Sequence, residues 1–144
     1  MESIQIARIT QECRDLVLAL MYFGDHNERA QAVDLFAEDG SWLRGGRLFT
    51  GRAELLASYD IEPPSLVMRH INGGTIVTVN NEDNASAITY YLAYRYDRGD
   101  DDAQLPLPLE LPFSLGEWHD RFVRTAEGWR VASRSTERVF MRRS

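Results

Sequence analysis

Three histidines, His26, His70 and His119, are the residues of this chain best suited to acid–base chemistry near neutral pH. The sequence has one cysteine, no closely spaced histidines and no glycine-rich phosphate loop, so it carries no metal, P-loop or dinucleotide signature. No serine lies in a strand–turn–helix elbow, which argues against a nucleophilic triad. The sequence therefore predicts general acid and base chemistry that uses neither a cofactor nor a metal.

His70 lies in an apolar β-rich run and shares a strand face with Met68 and Asn72. An imidazole that faces an apolar cavity can accept a proton, and a carboxylate beside it would orient the ring and stabilise its protonated form. His70 is thus a candidate general base. The alternative is a core histidine whose ring is satisfied by a backbone carbonyl.

Asp25 is the candidate partner, and it also has a structural interpretation. It lies between Gly24 and a predicted helix, where an aspartate usually caps the helix N-terminus. A residue at the junction of two helices can, however, also face the mouth of a pocket that a sheet closes from the other side. His26 is predicted to be exposed at the same helix start.

Helices are predicted in the first half of the chain. Apolar residues recur at three- and four-residue steps over residues 4–23, which indicates a helix with one buried face. A short second helix carrying Ala30, Val33 and Phe36 is expected next, closed at residues 38–40. A third helix is predicted over residues 52–59, after a small hairpin at residues 41–50.

The second half has the pattern of β-strands. Four long β-rich runs form two hairpins, over residues 67–80, 85–97, 116–125 and 129–141. Strands of this length behind three helices predict an α+β fold, a cone-shaped barrel in which a curved mixed or antiparallel sheet wraps around the N-terminal helices. The length fits one domain over residues 1–144.

The two hairpins are joined by residues 98–115, a long segment that contains three prolines. Proline is excluded from sheet interiors, so an extended surface connection is expected there. Such a loop could act as a lid, contact another subunit, or simply pack on its own domain.

Parity along the strands separates two faces of the sheet. Ala85, Ala87, Thr89 and Tyr91 form a small, partly polar face that suits a sheet bent around a cavity. The opposite face is bulky and suits packing or a subunit interface: Ile88, Tyr90, Leu92 and Tyr94. If Trp118 and Phe122 point inward, His119 points to solvent or to a subunit contact.

Composition limits the partners of the protein. Sixteen Lys and Arg against 22 Asp and Glu leave a formal charge of -6, which should repel the phosphates of nucleic acids. No apolar segment is long enough for a membrane span. The single cysteine, Cys13, fits a reducing cytoplasm. The open, aromatic outer face of the sheet predicts a homodimer or homotrimer.

Several stretches, taken with the order of elements, resemble the SnoaL-like group of the nuclear transport factor 2-like superfamily, whose fold is cystatin-like. They are Gly24-Asp25 with DLFAEDG at 34–40, GRAE at 51–54, RHIN at 69–72, and WHDRFVR at 118–124 with GWR at 128–130. The superfamily contains both enzymes and non-enzymes, so the resemblance implies the fold more strongly than a function.

Within this superfamily, the chain is similar to the branch of scytalone dehydratase, hexachlorocyclohexane dehydrochlorinase and bile-acid dehydratase. Asp25 and His70 fall on the positions of that branch's Asp–His pair. The resemblance implies that the histidine removes a proton from a substrate carbon while the aspartate supports it, without a metal or cofactor. Relatives often carry a tyrosine where this chain has Leu20. The group that polarises a substrate oxygen is therefore open, with candidates Tyr22, Tyr91 and Asp120.

Two hypotheses follow for the function. The first is a cofactor-independent lyase, of the dehydratase or dehydrohalogenase type, or an isomerase, acting on an apolar cyclic or aromatic molecule. Its pocket would be lined by Thr89, Tyr91, Trp118 and Asp120. The second is a non-catalytic ligand-binding protein or a β-like subunit of a ring-hydroxylating oxygenase. An assembly scaffold would be favoured only if side chains filled the cavity.

Overall fold

The computed structural model describes residues 1–143 and consists of N-terminal helices packed against one six-stranded sheet. The helices are α1 (Ser3–Asp25), α2 (Arg29–Asp34) and α3 (Arg52–Ser58), the last followed by a 3₁₀ turn, Tyr59–Ile61. The strands are β1 (Phe36–Arg44), β2 (Arg47–Thr50), β3 (Leu66–Val79), β4 (Asn84–Asp97), β5 (Ser114–Thr125) and β6 (Gly128–Met141). No helix within residues 1–143 is long and apolar enough to cross a membrane.

The sheet is mixed, with strand order β2-β1-β6-β5-β4-β3. Within residues 1–143, the β1–β6 pair is the only parallel one. The other four pairs, which include the two predicted long hairpins, are antiparallel. The sheet does not close, so β2 and β3 are its edges. Its ladder is interrupted by bulges, one of them between Asn72 and Thr75 on edge strand β3. Such bulges increase the local twist and bend of a sheet. The predicted α+β arrangement with a mixed sheet is confirmed.

The second predicted helix is wrong in its C-terminal half. Residues 36–44 form β1, and α2 ends at Asp34. Burial explains the difference, because Phe36 and Trp42 both pack in the core. A Cβ on Gly40 would lie 3.1 Å from the Val131 carbonyl oxygen and 2.9 Å from that of Ala37. Gly40 therefore permits the close approach of β1 to β6 instead of ending a helix.

Helix α1 packs into the concave face of the sheet. Its buried stripe is Ile9, Cys13, Leu16, Val17 and Leu20. The inward side chains of β4 are small where the helix crosses, with Ala85, Ala87 and Ala93 each less than 5% exposed. Burial raises the pKa of the Cys13 thiol to about 12, so this cysteine stays protonated near neutral pH.

The connection between β4 and β5 contains no helix or strand, in agreement with the prediction from its prolines. Its leucines Leu105, Leu109 and Leu111 are more than 70% exposed. The C-terminal end of this connection is held against β4, since the Phe113 amide donates to the Ala93 carbonyl at 2.7 Å. Phe113 thereby reaches the cavity described below.

Helix α3 supplies a test of this packing, because two adjacent leucines have opposite environments. Leu55 is fully buried and Leu56 is 45% exposed. We expect Leu55→Ala to lower the free energy of unfolding by about 2–5 kcal/mol, since it removes buried methyl groups and leaves a cavity. The matched control Leu56→Ala should change it by about 0.5 kcal/mol or less. Denaturant unfolding would measure both, and equal losses would contradict this placement of α3.

Candidate functional site

Asp25, the last residue of α1, forms a hydrogen-bonded pair with His70, which lies in the N-terminal half of β3. The His70 ring Nδ1 lies 2.6 Å from Asp25 Oδ1, and the His70 backbone amide donates to Asp25 Oδ2 at 2.8 Å. Both carboxylate oxygens are thus engaged by one residue. The pair is largely withdrawn from solvent, with side-chain exposures of 5% for Asp25 and 19% for His70.

The capping interpretation of Asp25 is wrong. Helix α1 continues through Gly24 and ends at Asp25, and the N-cap position of α2 is Glu28, which makes no side-chain cap hydrogen bond. Asp25 therefore closes one helix and does not begin the next. The alternative for His70 also fails, because its Nδ1 partner is a carboxylate and not a backbone carbonyl.

His70 lies in the wall of a cavity of about 560 Å³. Its ring centroid is 5.6 Å from that of Tyr91 and 5.3 Å from that of Trp118, and these two aromatic rings stack on each other at 4.7 Å. Because Asp25 accepts from Nδ1, that nitrogen carries the proton and Nε2 of the neutral ring is left as an acceptor. Nε2 makes no hydrogen bond within residues 1–143.

The predicted pocket residues divide into those that line the cavity and those that do not. Asp25, His70, Tyr91 and Trp118 line it. Thr89 faces inward but is fully buried, and its hydroxyl hydrogen bonds to that of Thr75 at 2.8 Å. Its predicted place in the pocket is corrected accordingly, because it sits in the packed part of the concave face beneath α1.

Tyr22 and Asp120 also lie outside the cavity. Tyr22 is 53% exposed on the outer side of α1 and stacks on His26, with ring centroids 4.1 Å apart. Asp120 is 2% exposed and lies behind the cavity wall. Both oxygens of Asp120 are occupied, accepting hydrogen bonds from Arg134 Nε at 2.7 Å and Nη2 at 2.9 Å. Neither residue is placed to polarise a ligand oxygen.

Arginines are the cavity residues that the sequence analysis missed. The cavity is lined by Arg29, Arg44, Arg47, Arg95, Arg134 and Arg138, against the carboxylates of Asp25 and Glu62. Arg134 is buried and forms an ion pair with Asp120, and its guanidinium carbon lies 4.4 Å from the centroid of the Trp118 ring. Alternation along β6 does not predict the inward position of Arg134. A bulge opposite Arg121–Phe122 interrupts the alternation, so that both Val131 and Arg134 point inward.

Arg44 and Tyr59 form a second polar group in the cavity wall. The Arg44 guanidinium carbon lies 4.5 Å from the centroid of the Trp42 ring and 5.6 Å from that of Tyr59. Within residues 1–143, Arg44 Nη1 and the Tyr59 hydroxyl are buried without a hydrogen-bond partner. Burial raises the pKa of Tyr59 and lowers the pKa of Arg44 from its usual value. Both shifts mark groups removed from water.

A separate cluster on the convex face of the sheet contains His119. Glu117, His119 and Glu137 offer ligand atoms that all lie within 4.8 Å of one another, a donor set that divalent metals accept. His119 Nε2 is 2.9 Å from Glu117 Oε1 and 3.5 Å from Glu137 Oε2, so the three side chains already contact one another. His119 thus faces outward, away from the cavity, as its parity predicted.

Comparison with models of known protein families identifies one that covers most of the chain. The family model for the SnoaL-like domain matches residues 6–135. No curated protein sequence matches the chain at a significant level.

Three similar solved structures show the fold. An NTF2-like protein with a cystatin-like fold from Novosphingobium aromaticivorans is 21% identical, covering 94% of this chain and 85% of its own, with a TM-score of 0.76. The "Putative Scytalone Dehydratase" of the same organism is 14% identical over 98% and 91%, with a TM-score of 0.83. A Catenulispora acidiphila protein in complex with S-DNPA is 20% identical over 92% and 94%, with a TM-score of 0.73. The predicted cystatin-like fold is confirmed.

The buried Asp120–Arg134 pair gives a test of the cavity wall. Asp120→Ala leaves the Arg134 guanidinium buried without its partner, so we expect a loss of about 3–5 kcal/mol in unfolding free energy. Replacing both residues, as in Asp120→Leu with Arg134→Met, should recover much of that loss. The exposed pair Arg124–Asp83 is the matched control, and Asp83→Ala should cost less than about 1 kcal/mol. Equal effects of Asp120→Ala and Asp83→Ala in urea unfolding would refute the structural role of Asp120.

Proposed function

The chain belongs to the SnoaL-like domain family, and from that premise we propose that it is a cofactor-independent lyase or isomerase acting on a cyclic organic molecule. His70 is the general base and Asp25 is its orienting carboxylate. The observation that carries the proposal is the 2.6 Å contact between His70 Nδ1 and Asp25 in the wall of an open cavity. A base must be held in one tautomer beside the space where its substrate binds.

The chemistry follows from the two hydrogen bonds that His70 donates to Asp25. With Nδ1 donating to the carboxylate, Nε2 takes a proton from a substrate carbon. The electron pair of that C–H bond forms a double bond, and the leaving group departs with its own bonding pair. In an isomerisation the proton is instead returned to another carbon. The Asp25 charge stabilises the imidazolium formed in either case.

The cavity supports binding of a ring-shaped molecule. Tyr91 and Trp118 stack on one another at 4.7 Å and present aromatic surface beside His70. Aromatic walls with a few placed polar groups are typical of small-molecule sites. The assembly-scaffold hypothesis requires a cavity filled by side chains, and the open volume of about 560 Å³ therefore disfavours it. A binding protein or a β-like oxygenase subunit would use the same cavity without needing His70 as a base.

A cytoplasmic location is part of the proposal. Cys13, the one cysteine of the sequence, is fully buried as a protonated thiol, which fits a reducing compartment. The formal charge of -6 disfavours nucleic acid as a partner.

The dyad is tested with 5-nitrobenzisoxazole, a ring compound in which loss of one C–H proton and cleavage of the N–O bond give a coloured cyanophenolate. We expect wild-type protein to accelerate this elimination and His70→Ala to abolish the acceleration. Asp25→Asn should reduce it by about tenfold or more, since the amide has no charge and a single acceptor for the two donors of His70. Absorbance of the product measures the rate.

Matched controls for the dyad are His26→Ala and Asp39→Asn, which change exposed residues of the same types. Both controls should retain the wild-type rate, and thermal unfolding should show that all four variants fold. A His70→Ala protein as active as wild type would end the catalytic proposal. A wild-type protein no faster than the same concentration of free imidazole would favour the non-catalytic alternative.

We also propose that the protein is a homo-oligomer through the convex face of the sheet. Ile71, Ile76, Ile88 and Tyr90 are exposed there by 43–75%. Burying such a face against a second copy removes apolar area from water. We expect light scattering after gel filtration to give a dimer or trimer, and Ile88→Lys with Tyr90→Lys to give a monomer. The exposed loop variant Leu109→Lys is the control, and a wild-type monomer at micromolar concentration would contradict the proposal.

A further inference from the structure

We propose that Arg44 and Tyr59 form a carboxylate subsite, so that the ligand of the cavity is a cyclic carboxylate and not a wholly apolar molecule. The inference rests on the proposed function, because it assigns a ligand class to the same cavity. Its test measures binding, which does not depend on proton transfer by His70.

Arg44 is a partly buried cation without a carboxylate partner. Among the six cavity arginines, Arg29, Arg95 and Arg134 have carboxylate partners within the described chain, Asp60, Glu62 and Asp120 respectively. Arg44 forms no ion pair and no side-chain hydrogen bond within residues 1–143, and its Nη1 is shielded from solvent. Buried polar groups in folded proteins are normally satisfied, so this unsatisfied donor points to an absent acceptor.

Position distinguishes Arg44 from the other unpaired cavity arginines. Arg47 and Arg138 also lack a carboxylate partner within residues 1–143, but both are exposed and can be solvated by water. The guanidinium carbon of Arg44 instead lies over the Trp42 ring, 4.5 Å from its centroid, so one face of the group is covered. A guanidinium that packs on an aromatic ring loses less freedom when it binds a ligand than one on a free side chain.

Tyr59 supplies a second unsatisfied donor beside the first. Its hydroxyl is buried without a partner in the described chain, and its ring centroid lies 5.6 Å from the Arg44 guanidinium carbon. Burial raises the pKa of this hydroxyl, so it keeps its proton and remains a donor near neutral pH. One guanidinium N–H and one phenol O–H match the two oxygens of a carboxylate.

The subsite lies at the dyad end of the cavity. A Cβ placed on Gly24 would be 3.8 Å from the Tyr59 hydroxyl, and Gly24 immediately precedes Asp25. His70, Tyr91 and Trp118 line the same cavity, so a ligand that gives its carboxylate to Arg44 and Tyr59 is expected to place its ring toward them. At this position a single guanidinium lies beside an uncharged phenol, which matches the one negative charge of a carboxylate better than the two charges of a phosphate dianion.

The experiment compares 2-naphthoate with 2-naphthylmethanol, which has the same ring system and no charge, by isothermal titration calorimetry near pH 7.5. We expect wild-type protein to bind 2-naphthoate at least about tenfold more tightly, and Arg44→Met to bring the two affinities together. Tyr59→Phe should reduce the affinity for 2-naphthoate alone. Arg44→Lys keeps the charge without the planar fork and should retain part of the preference.

Arg121→Met is the matched control, since Arg121 is exposed and does not line the cavity. It should keep the full preference for 2-naphthoate. His70→Ala should also keep the preference while losing elimination activity, so failure of the dyad and failure of the subsite are separable. Near-UV circular dichroism checks that Arg44→Met and Arg44→Lys retain the wild-type packing.

Two results would overturn the inference. Wild-type protein that binds the alcohol as tightly as the carboxylate, or binds neither, has no carboxylate subsite. A preference that survives in both Arg44→Met and Tyr59→Phe would assign the carboxylate to other arginines. Inorganic phosphate at equal concentration should not displace 2-naphthoate, and displacement would identify a phosphate site instead.

Discussion

The packing of α1 into the concave face of the sheet is the constraint on which the site depends. Small side chains on β4, such as Ala85 and Ala87, allow the helix to lie close to the strands. The last residue of the same helix is Asp25, so its carboxylate is carried to β3 by the packing of the helix and not by a flexible loop. A carboxylate on a rigid element holds its partner in one geometry, which is what a base requires.

Much of this arrangement follows from the sequence, because periodicity reports which face of an element is buried. The 3.6-residue pattern of α1 predicts the buried face of the helix, and the alternation along β4 predicts the two faces of the sheet and the inward placement of Tyr91. The alternation along β5 places Trp118 and Phe122 on one face and His119 on the other. The pairing of Asp25 with His70 came from the resemblance to a family and not from periodicity. Distance between two side chains on separate elements is not encoded in the local pattern.

Other features escape prediction for physical reasons that particular residues illustrate. Glu38-Asp39-Gly40 has the composition of a helix end, yet Gly40 lies inside β1, where an added Cβ would crowd the carbonyl oxygens of Ala37 at 2.9 Å and Val131 at 3.1 Å. The inward turn of Arg134 depends on a bulge that no alternation rule anticipates. Arg44 looks like an ordinary hairpin residue beside Gly45, and the local sequence does not show that Tyr59, from another element, helps to shield its Nη1 from water.

The bulge between Asn72 and Thr75 has a consequence for the free edge of the sheet. Strand β3 is 14 residues long and has no neighbour on one side, so a straight β3 would offer a row of free amide and carbonyl groups. The backbone instead turns at Gly74, with φ of +120°, and the Gly74 amide donates to Asn72 Oδ1 at 2.8 Å. This kink divides the edge into two short pieces, and neither can template the continuous cross-β growth that leads to fibrils.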